Sequence, residues 1–316
     1  MGRVSDHFDG ERFFNPGRAN GRGNAAVPKM LAEPRQPWPS SVPVQPQRPA
    51  PHPPEAWVTL TFVGHSTFII QTGSATIITD PVFSRRASPL SFIGPRRVRE
   101  AAVDLEHLPP IDIVLLSHNH YDHCDLASLR HIRKRFDPVI VTPLRNGRIA
   151  RTAGYRRVEE LDWWEQTHAA PLPITMTPAQ HFSARTPFDR NRALWGSFVV
   201  DVEDRRLFFA GDSGYAGHFA DVRERIGDIH LALLPIGAYE PRWFMRDIHM
   251  NPEEAVQAHL DLGSAHSVGM HFGTFRLTTE AIDEPERALH EAKREKGLHD
   301  SAFRTLDFGQ SVALPR

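Results

Sequence analysis

The apolar run Ile111-Asp112-Ile113-Val114-Leu115-Leu116 ends directly on Ser117-His118-Asn119-His120-Tyr121-Asp122-His123, and this junction constrains the chain more than any other stretch. The run has the length and β-branched content of a buried strand, so the polar residues after it fall in a tight loop at a strand end. Three histidines and one aspartate lie within six positions there. Packing accounts for them poorly, because each buried ring needs a polar partner. Coordination of metal satisfies all of them together.

The spacing divides the donors. His118 and His120 flank Asn119, so in an extended segment they lie on one side and reach one ion. Asp122 and His123 follow a turn and can face a second. Imidazole binds zinc at about 2.0–2.1 Å and carboxylate oxygen at about 2.0–2.2 Å, which suits Zn²⁺, although iron and manganese accept the same donors.

The 316 residues, 40% of them hydrophobic, suffice for a substantial core, read as one domain of residues 56–316 behind a tail of residues 1–55. Its 37 basic and 38 acidic side chains leave a net charge of -1, which excludes the global positive field that recruits nucleic acid. Any anionic substrate has to be held by local charge. The single cysteine, Cys124, excludes an intramolecular disulfide and reads as a small buried residue in a reducing compartment. No early stretch resembles a signal peptide and none offers the ~20 apolar residues of a membrane span. The expected location is cytoplasmic, with peripheral contact at the inner membrane face left open.

The tail holds 11 of the 27 prolines, so it is expected to be extended or disordered and solvated, with partner binding as the alternative. Strands follow over residues 58–63, 68–71 and 75–79. His65 sits between the first two, where a core histidine and a partner of the metal loop are equally open. Asp80-Pro81 closes the third strand. Residues 83–99 form a long loop in which Arg85, Arg86, Arg96, Arg97 and Arg99 mix with Leu90, Phe92 and Ile93. Arginine forks bind phosphate and exposed apolar residues enter lipid interfaces, so Arg96 and Arg97 are candidate headgroup contacts; ordinary ion pairs are the plain alternative. Helices are expected over residues 126–136 and 146–153, with Val139-Ile140-Val141 as a strand between them. Ile174 to His181 and Leu207 to Gly214 each read as a strand running into a polar residue at its end, His181 and Asp212. His271 follows a further apolar run, and Asn251-Pro252-Glu253-Glu254 reads as a helix start.

His118-x-His120-x-Asp122-His123 after an apolar strand resembles the metallo-β-lactamase superfamily. Phe62-Val63-Gly64-His65-Ser66-Thr67, Thr79-Asp80-Pro81-Val82-Phe83-Ser84, Leu234-Pro235-Ile236-Gly237-Ala238-Tyr239-Glu240-Pro241-Arg242-Trp243 and His271-Phe272-Gly273-Thr274-Phe275 narrow the resemblance to N-acylphosphatidylethanolamine-hydrolysing phospholipase D, from about Trp57 onward. The resemblance implies an α/β fold, the αβ/βα sandwich of two mixed sheets flanked by helices. It implies two Zn²⁺ per chain held by His118, His120, Asp122, His123, His181, Asp212 and His271, with Asp212 as the bridge. Asp80 and His65 would support the ligands from behind. Tyr121 and His249 would meet the substrate, His249 near the phosphate, and Asp122, Asp212 and His249 would carry the chemistry.

Two such ions acidify a water and stabilise attacking and leaving oxygens in an in-line displacement. The implied reaction cleaves the phosphodiester of N-acylphosphatidylethanolamine to an N-acylethanolamine and phosphatidic acid. A soluble phosphodiester or a lactone on the same scaffold is the alternative, since fold does not fix substrate, and a non-catalytic binding protein is the other class. The expected partner is a phospholipid or other phosphodiester, with homodimerisation left open.

Overall fold

The computed structural model describes residues 5–17, 22–167 and 170–316; the parts of the N-terminal stretch at 1–4 and 18–21 lie outside them. In chain order the strands of the first sheet are β1 (Ala56–Gly64), β2 (Thr67–Thr72), β3 (Thr76–Thr79), β4 (Ile113–Leu115), β5 (Val139–Pro143) and β6 (Val158–Leu161). Those of the second are β7 (Gln166–Thr167), β8 (Ile174–Thr177), β9 (Ser197–Val202), β10 (Arg205–Phe209), β11 (Leu231–Pro235), β12 (His266–Met270) and β13 (Phe303–Arg304). The last strand, β14 (Ser311–Pro315), returns to the first sheet beside β1. Each sheet has seven strands, in the orders β14-β1-β2-β3-β4-β5-β6 and β13-β12-β11-β10-β9-β8-β7.

Both sheets change from antiparallel to parallel pairing at their middle strand. In the first, β1, β2 and β3 pair antiparallel, and β3 to β6 run parallel. In the second, β7 to β10 pair antiparallel, and β10 to β13 run parallel. Open sheets with parallel strands bind ligands beyond the carboxyl ends of those strands.

The two-residue period explains the apolar runs. Ile113 and Leu115 of β4 join the cluster between the sheets, with Phe62, Phe198, Val200, Phe209 and Leu233. Val114 and the following Leu116 face the other way, onto Leu129 and Ile132 of helix α2 (Leu126–Phe136) and Ala150 of helix α3 (Gly147–Thr152). Burial on both faces is why the strand reads as a continuous apolar run rather than an alternation. Truncating Leu115 to Ala would cost about 2–5 kcal/mol by opening a cavity between the sheets. Helix α2 starts on Asp125, whose carboxylate accepts from the Ala127 amide, and stops at Asp137, in the left-handed region before Pro138. The expected start at Asn251 is a full capping box with Glu254 on helix α4 (Pro252–Asp261).

The N-terminal stretch is extended, as proline content dictates, but the described part is not a free tail. Phe13 is buried in the central cluster. The amides of Gln36, Val42 and Gln47 donate to the carbonyls of Thr279, Val98 and Ala102. Helix α1 (Val27–Leu31) seats Met30 among Ala238, Phe244, Met245 and Ile248. The residues between the prolines keep their donors and apolar surface, and these fix the stretch to the domain. Among the described residues, no helix is long and apolar enough to cross a membrane.

Candidate metal centre

Apart from His249, every donor in the centre lies past the carboxyl end of a strand: His65 after β1, Asp80 after β3, residues 117–123 after β4, His181 after β8, Asp212 after β10 and His271 after β12. Two close approaches shape the centre, the first between the two sheets and the second between neighbouring strands of the second sheet. Gly211 adopts φ 59°, and a Cβ there would stand 2.5 Å from Cβ of Ser117. A Cβ on Gly237 would stand 2.2 Å from the His271 carbonyl oxygen. Three non-glycine residues of the centre, His65, Asp80 and His271, take φ of 59°, 32° and 62°, strain that the surrounding packing holds in place.

Four overlapping groups of donors each lie within 4.8 Å, and the two with four members share no residue. The first is His118, His120, His181 and Asp212; His120 Nδ1 lies 2.8 Å from His118 Nε2 and 3.3 Å from His181 Nε2. The second is His65, Asp122, His123 and His271, with Asp122 Oδ2 at 3.1, 3.6 and 3.4 Å from the three rings. Asp212 Oδ2 joins them. It lies 3.0 Å from His123, 3.2 Å from His271, 3.8 Å from His181, and 3.9 Å from both His118 and His249.

Hydrogen bonds behind the rings fix which nitrogen faces inward. Ser117 Oγ donates to Asp80 Oδ2 at 2.6 Å, so its oxygen is left to accept from His118 Nδ1 at 2.9 Å. His123 Nδ1 donates to Asp80 Oδ2 at 2.6 Å, and His181 Nδ1 donates to the Ile248 carbonyl at 2.8 Å. In each ring Nε2 is thereby the atom turned into the centre. This is the tautomer that metal ligation needs, oriented by a carboxylate, a hydroxyl or a carbonyl. His123 Nε2, both nitrogens of His271 and Asp212 Oδ1 are buried without a hydrogen-bond partner. A cation among them would satisfy donors that the protein leaves unsatisfied, so the residues fit a divalent metal pair.

Burial holds His118 and His249 well below the usual histidine range, His65 and His120 at about 3, and His181 at about 4. Burial also opposes charge on His123 and His271, but Asp212 and Asp122 outweigh it, lifting His123 well above 6.5 and His271 to about 9. The same burial disfavours the Asp122 and Asp212 carboxylates, and the His123 charge overrides it to keep both well below the carboxylate range. Asp80 is pushed up by burial against the pull of His123 and Ser117. Five rings are therefore neutral, with lone pairs available.

The remaining expected site residues divide. His249 is buried with its ring edge toward Asp212, and its carbonyl accepts from Arg242 at 2.9 Å. Tyr121 forms part of the wall; its hydroxyl donates to the Arg185 carbonyl at 3.0 Å. Arg97 is not a headgroup contact. It is buried, and its guanidinium donates to the carbonyls of Val82 and Ser84 while lying over the Phe275 ring. Arg96 is exposed on the loop, and the carbonyls of Val82 and Ser84 accept from its neighbour Arg97 instead. Cys124 is buried and its thiol is pushed up to about 12, which removes it as a nucleophile.

Arg185 is a residue that the sequence did not reveal. Its guanidinium donates to the carbonyls of Asn119 and Cys124 at 2.8 and 2.9 Å and stacks over Tyr121, pinning both ends of the metal loop. Nothing in its neighbourhood at 182–191 signals this, because the partner lies some sixty positions earlier.

Residues 75–272 match the family model described as the beta-lactamase superfamily domain. The chain is 37% identical over 269 residues to N-acyl-phosphatidylethanolamine-hydrolyzing phospholipase D 1 of Caenorhabditis elegans, covering 81% of this chain and 76% of that one. It is 34% identical to the mitochondrial N-acyl-phosphatidylethanolamine-hydrolyzing phospholipase D of Saccharomyces cerevisiae, covering 77% of this chain and only 53% of the yeast protein. Among solved structures, the isothiocyanate hydrolase from Delia radicum gut bacteria superposes with a TM-score of 0.66 at 21% identity, over 81% of this chain and 99% of that one. That likeness concerns the fold alone. The chain belongs to the metallo-β-lactamase superfamily, where its sequence places it among proteins similar to N-acylphosphatidylethanolamine-hydrolysing phospholipase D.

Proposed function

We propose that this protein is a binuclear zinc hydrolase of phosphodiesters, and that it cleaves N-acylphosphatidylethanolamine to an N-acylethanolamine and phosphatidic acid. The observation that carries the reading is Asp212, one carboxylate oxygen set between two donor groups. In this reading His118, His120 and His181 hold one ion, Asp122, His123 and His271 the other, and Asp212 both. The similarity to the nematode and yeast phospholipases supports the substrate class.

A zinc pair supplies Lewis acidity toward phosphoryl oxygens and lowers the pKa of a water. The protein's own groups do the rest. Asp80 and Ser117 keep Nε2 of His123 and of His118 turned into the centre, where each would face its own ion. His249, neutral because it is buried, offers an N–H to a phosphoryl oxygen as charge develops there. The dry walls of the centre strengthen that contact, since little water competes for it.

Access for a lipid is supported by the surface. Leu90, Phe92 and Ile93 on one loop and Phe188 on the loop after His181 are exposed, Phe92 by 75% and Phe188 by 82%. Arg86 and Arg96 stand beside the first group, a pairing of apolar tips with cations that suits an anionic bilayer surface. Soluble diesters would not need these tips.

The test combines elemental analysis with mass-spectrometric detection of products from micellar N-acylphosphatidylethanolamine. Wild type should carry two zinc ions per chain and release both products, and His120→Ala should release neither at a measurable rate. Equal turnover in the two proteins would exclude the reading.

A further inference from the structure

Two separate parts of the N-terminal stretch converge on one histidine. Asn15, 4% exposed, donates from Nδ2 to the His181 carbonyl at 2.9 Å, and its Oδ1 accepts from the Trp195 indole at 3.3 Å. The residues around it are stitched to the loop that follows His181. Phe13 donates its amide to the Asn191 carbonyl at 2.8 Å, and Asn191 returns its own amide to Ser183. Further along, Met30 of helix α1 packs against Phe244, Met245 and Ile248, and the same cluster takes in Phe182 and Trp243. Trp243 is clamped there: its indole donates to Glu33 at 3.0 Å, and Lys29 lies over its ring. Ile248 is the residue whose carbonyl accepts from His181 Nδ1 and so fixes which nitrogen of that ring faces the centre.

We propose that residues 13–17 and 27–33 are a positioning element of the metal centre, with Asn15 setting the backbone of His181 and Met30, through Ile248, setting its ring. The inference rests on the reading of His181 as a ligand. It assigns a role to a stretch that composition alone marks as a solvated extension. The physical basis is ordinary: a ligand's outer hydrogen-bond partners govern its affinity for metal, and their loss typically weakens binding about 10–100-fold. Asn15 and Met30 touch no reacting atom. They are positioning residues, and their removal should act on the ion that His181 holds while sparing the ion held by His123 and His271.

The experiment titrates zinc into apo protein against a chelating indicator, on the full chain, for wild type, Asn15→Asp, Asn15→Leu and Met30→Ala. Aspartate keeps the shape of Asn15 and its acceptor for Trp195 but removes the donor to His181. Wild type should bind two ions. The two Asn15 variants should bind one of them about 10–100-fold more weakly and the other unchanged, and Met30→Ala should shift the same ion in the same direction. His181→Ala, measured alongside, identifies which ion that is. Unaltered affinity for both ions in properly folded variants would overturn the inference. So would equal weakening of both ions with a parallel fall in apo melting temperature, which is the signature of a merely structural role. Wild type that binds no zinc would instead overturn the metal reading of the site, and the two failures are thus distinct.

Discussion

The first sheet delivers its metal-facing side chains chiefly from one loop, whereas the second delivers three from three different strand ends. Residues 118–123 follow β4 without a break, but His181, Asp212 and His271 follow β8, β10 and β12. The support differs as well. Behind the first loop stand side chains, Asp80 and Ser117, while the ring of His181 is oriented by the backbone carbonyl of Ile248. Two sheets of like winding thus solve the same problem differently. The first half is built locally and tuned by side chains; the second is built by topology and tuned by where a neighbouring segment lies.

Asp212→Ala should have the largest effect, because it removes the one oxygen that lies against both donor groups. Activity should fall by more than about a thousandfold, beyond the 10–100-fold typical of outer partners, with zinc dropping below two per chain in elemental analysis. Retention of both ions would break the view that this oxygen joins the halves. Asp80→Asn tests the first half alone. It keeps the shape but loses the charge that orients His123, and should weaken zinc binding about 10–100-fold while leaving His181 undisturbed. A smaller effect is expected at the rim to which both halves contribute a loop. Phe92→Ser with Phe188→Ser should lower binding to anionic vesicles by about tenfold, since tips that dip only partway into the interface gain a fraction of the ~1.5–3 kcal/mol of a fully buried apolar side chain. Hydrolysis of a soluble diester should be unchanged.

The smallest effect concerns acid sensitivity in the second half. His259 on α4 is buried against Ser267 of β12, and burial lowers it to about 4 from 6.5. The folded state keeps this ring neutral where the unfolded chain would protonate it. Its contribution is therefore complete above about pH 6.5 and is lost as pH falls toward 4. Urea midpoints for His259→Gln should differ less between pH 7 and pH 5 than those of wild type. An unchanged difference would place the acid sensitivity elsewhere.

This contrast also explains what could be read from the sequence. The loop at 118–123 was legible because strand, turn and donors are contiguous, and Val114 and Leu116 mark the strand's second buried face. His181, Asp212 and His271 carry no local signal; a single histidine after an apolar run is common, and only the resemblance joined them. The proline-rich start was legible as extended but not as docked, because composition predicts conformation and says nothing of where a chain lies. In the arginine-rich loop, Arg96 and Arg97 look alike on the page. Burial of one and exposure of the other follow from the side of the loop each occupies, which is a tertiary fact. Arg185 shows the same limit, since its two carbonyl partners belong to a loop contributed by the other sheet.

Gly211 carries one further consequence. A single methyl group there would collide with Ser117, so the span between the two rows of donors is set by a missing carbon. Gly211→Ala should act as a wedge, leaving every ligand present and each sheet intact while driving the paired half-sites out of register with each other.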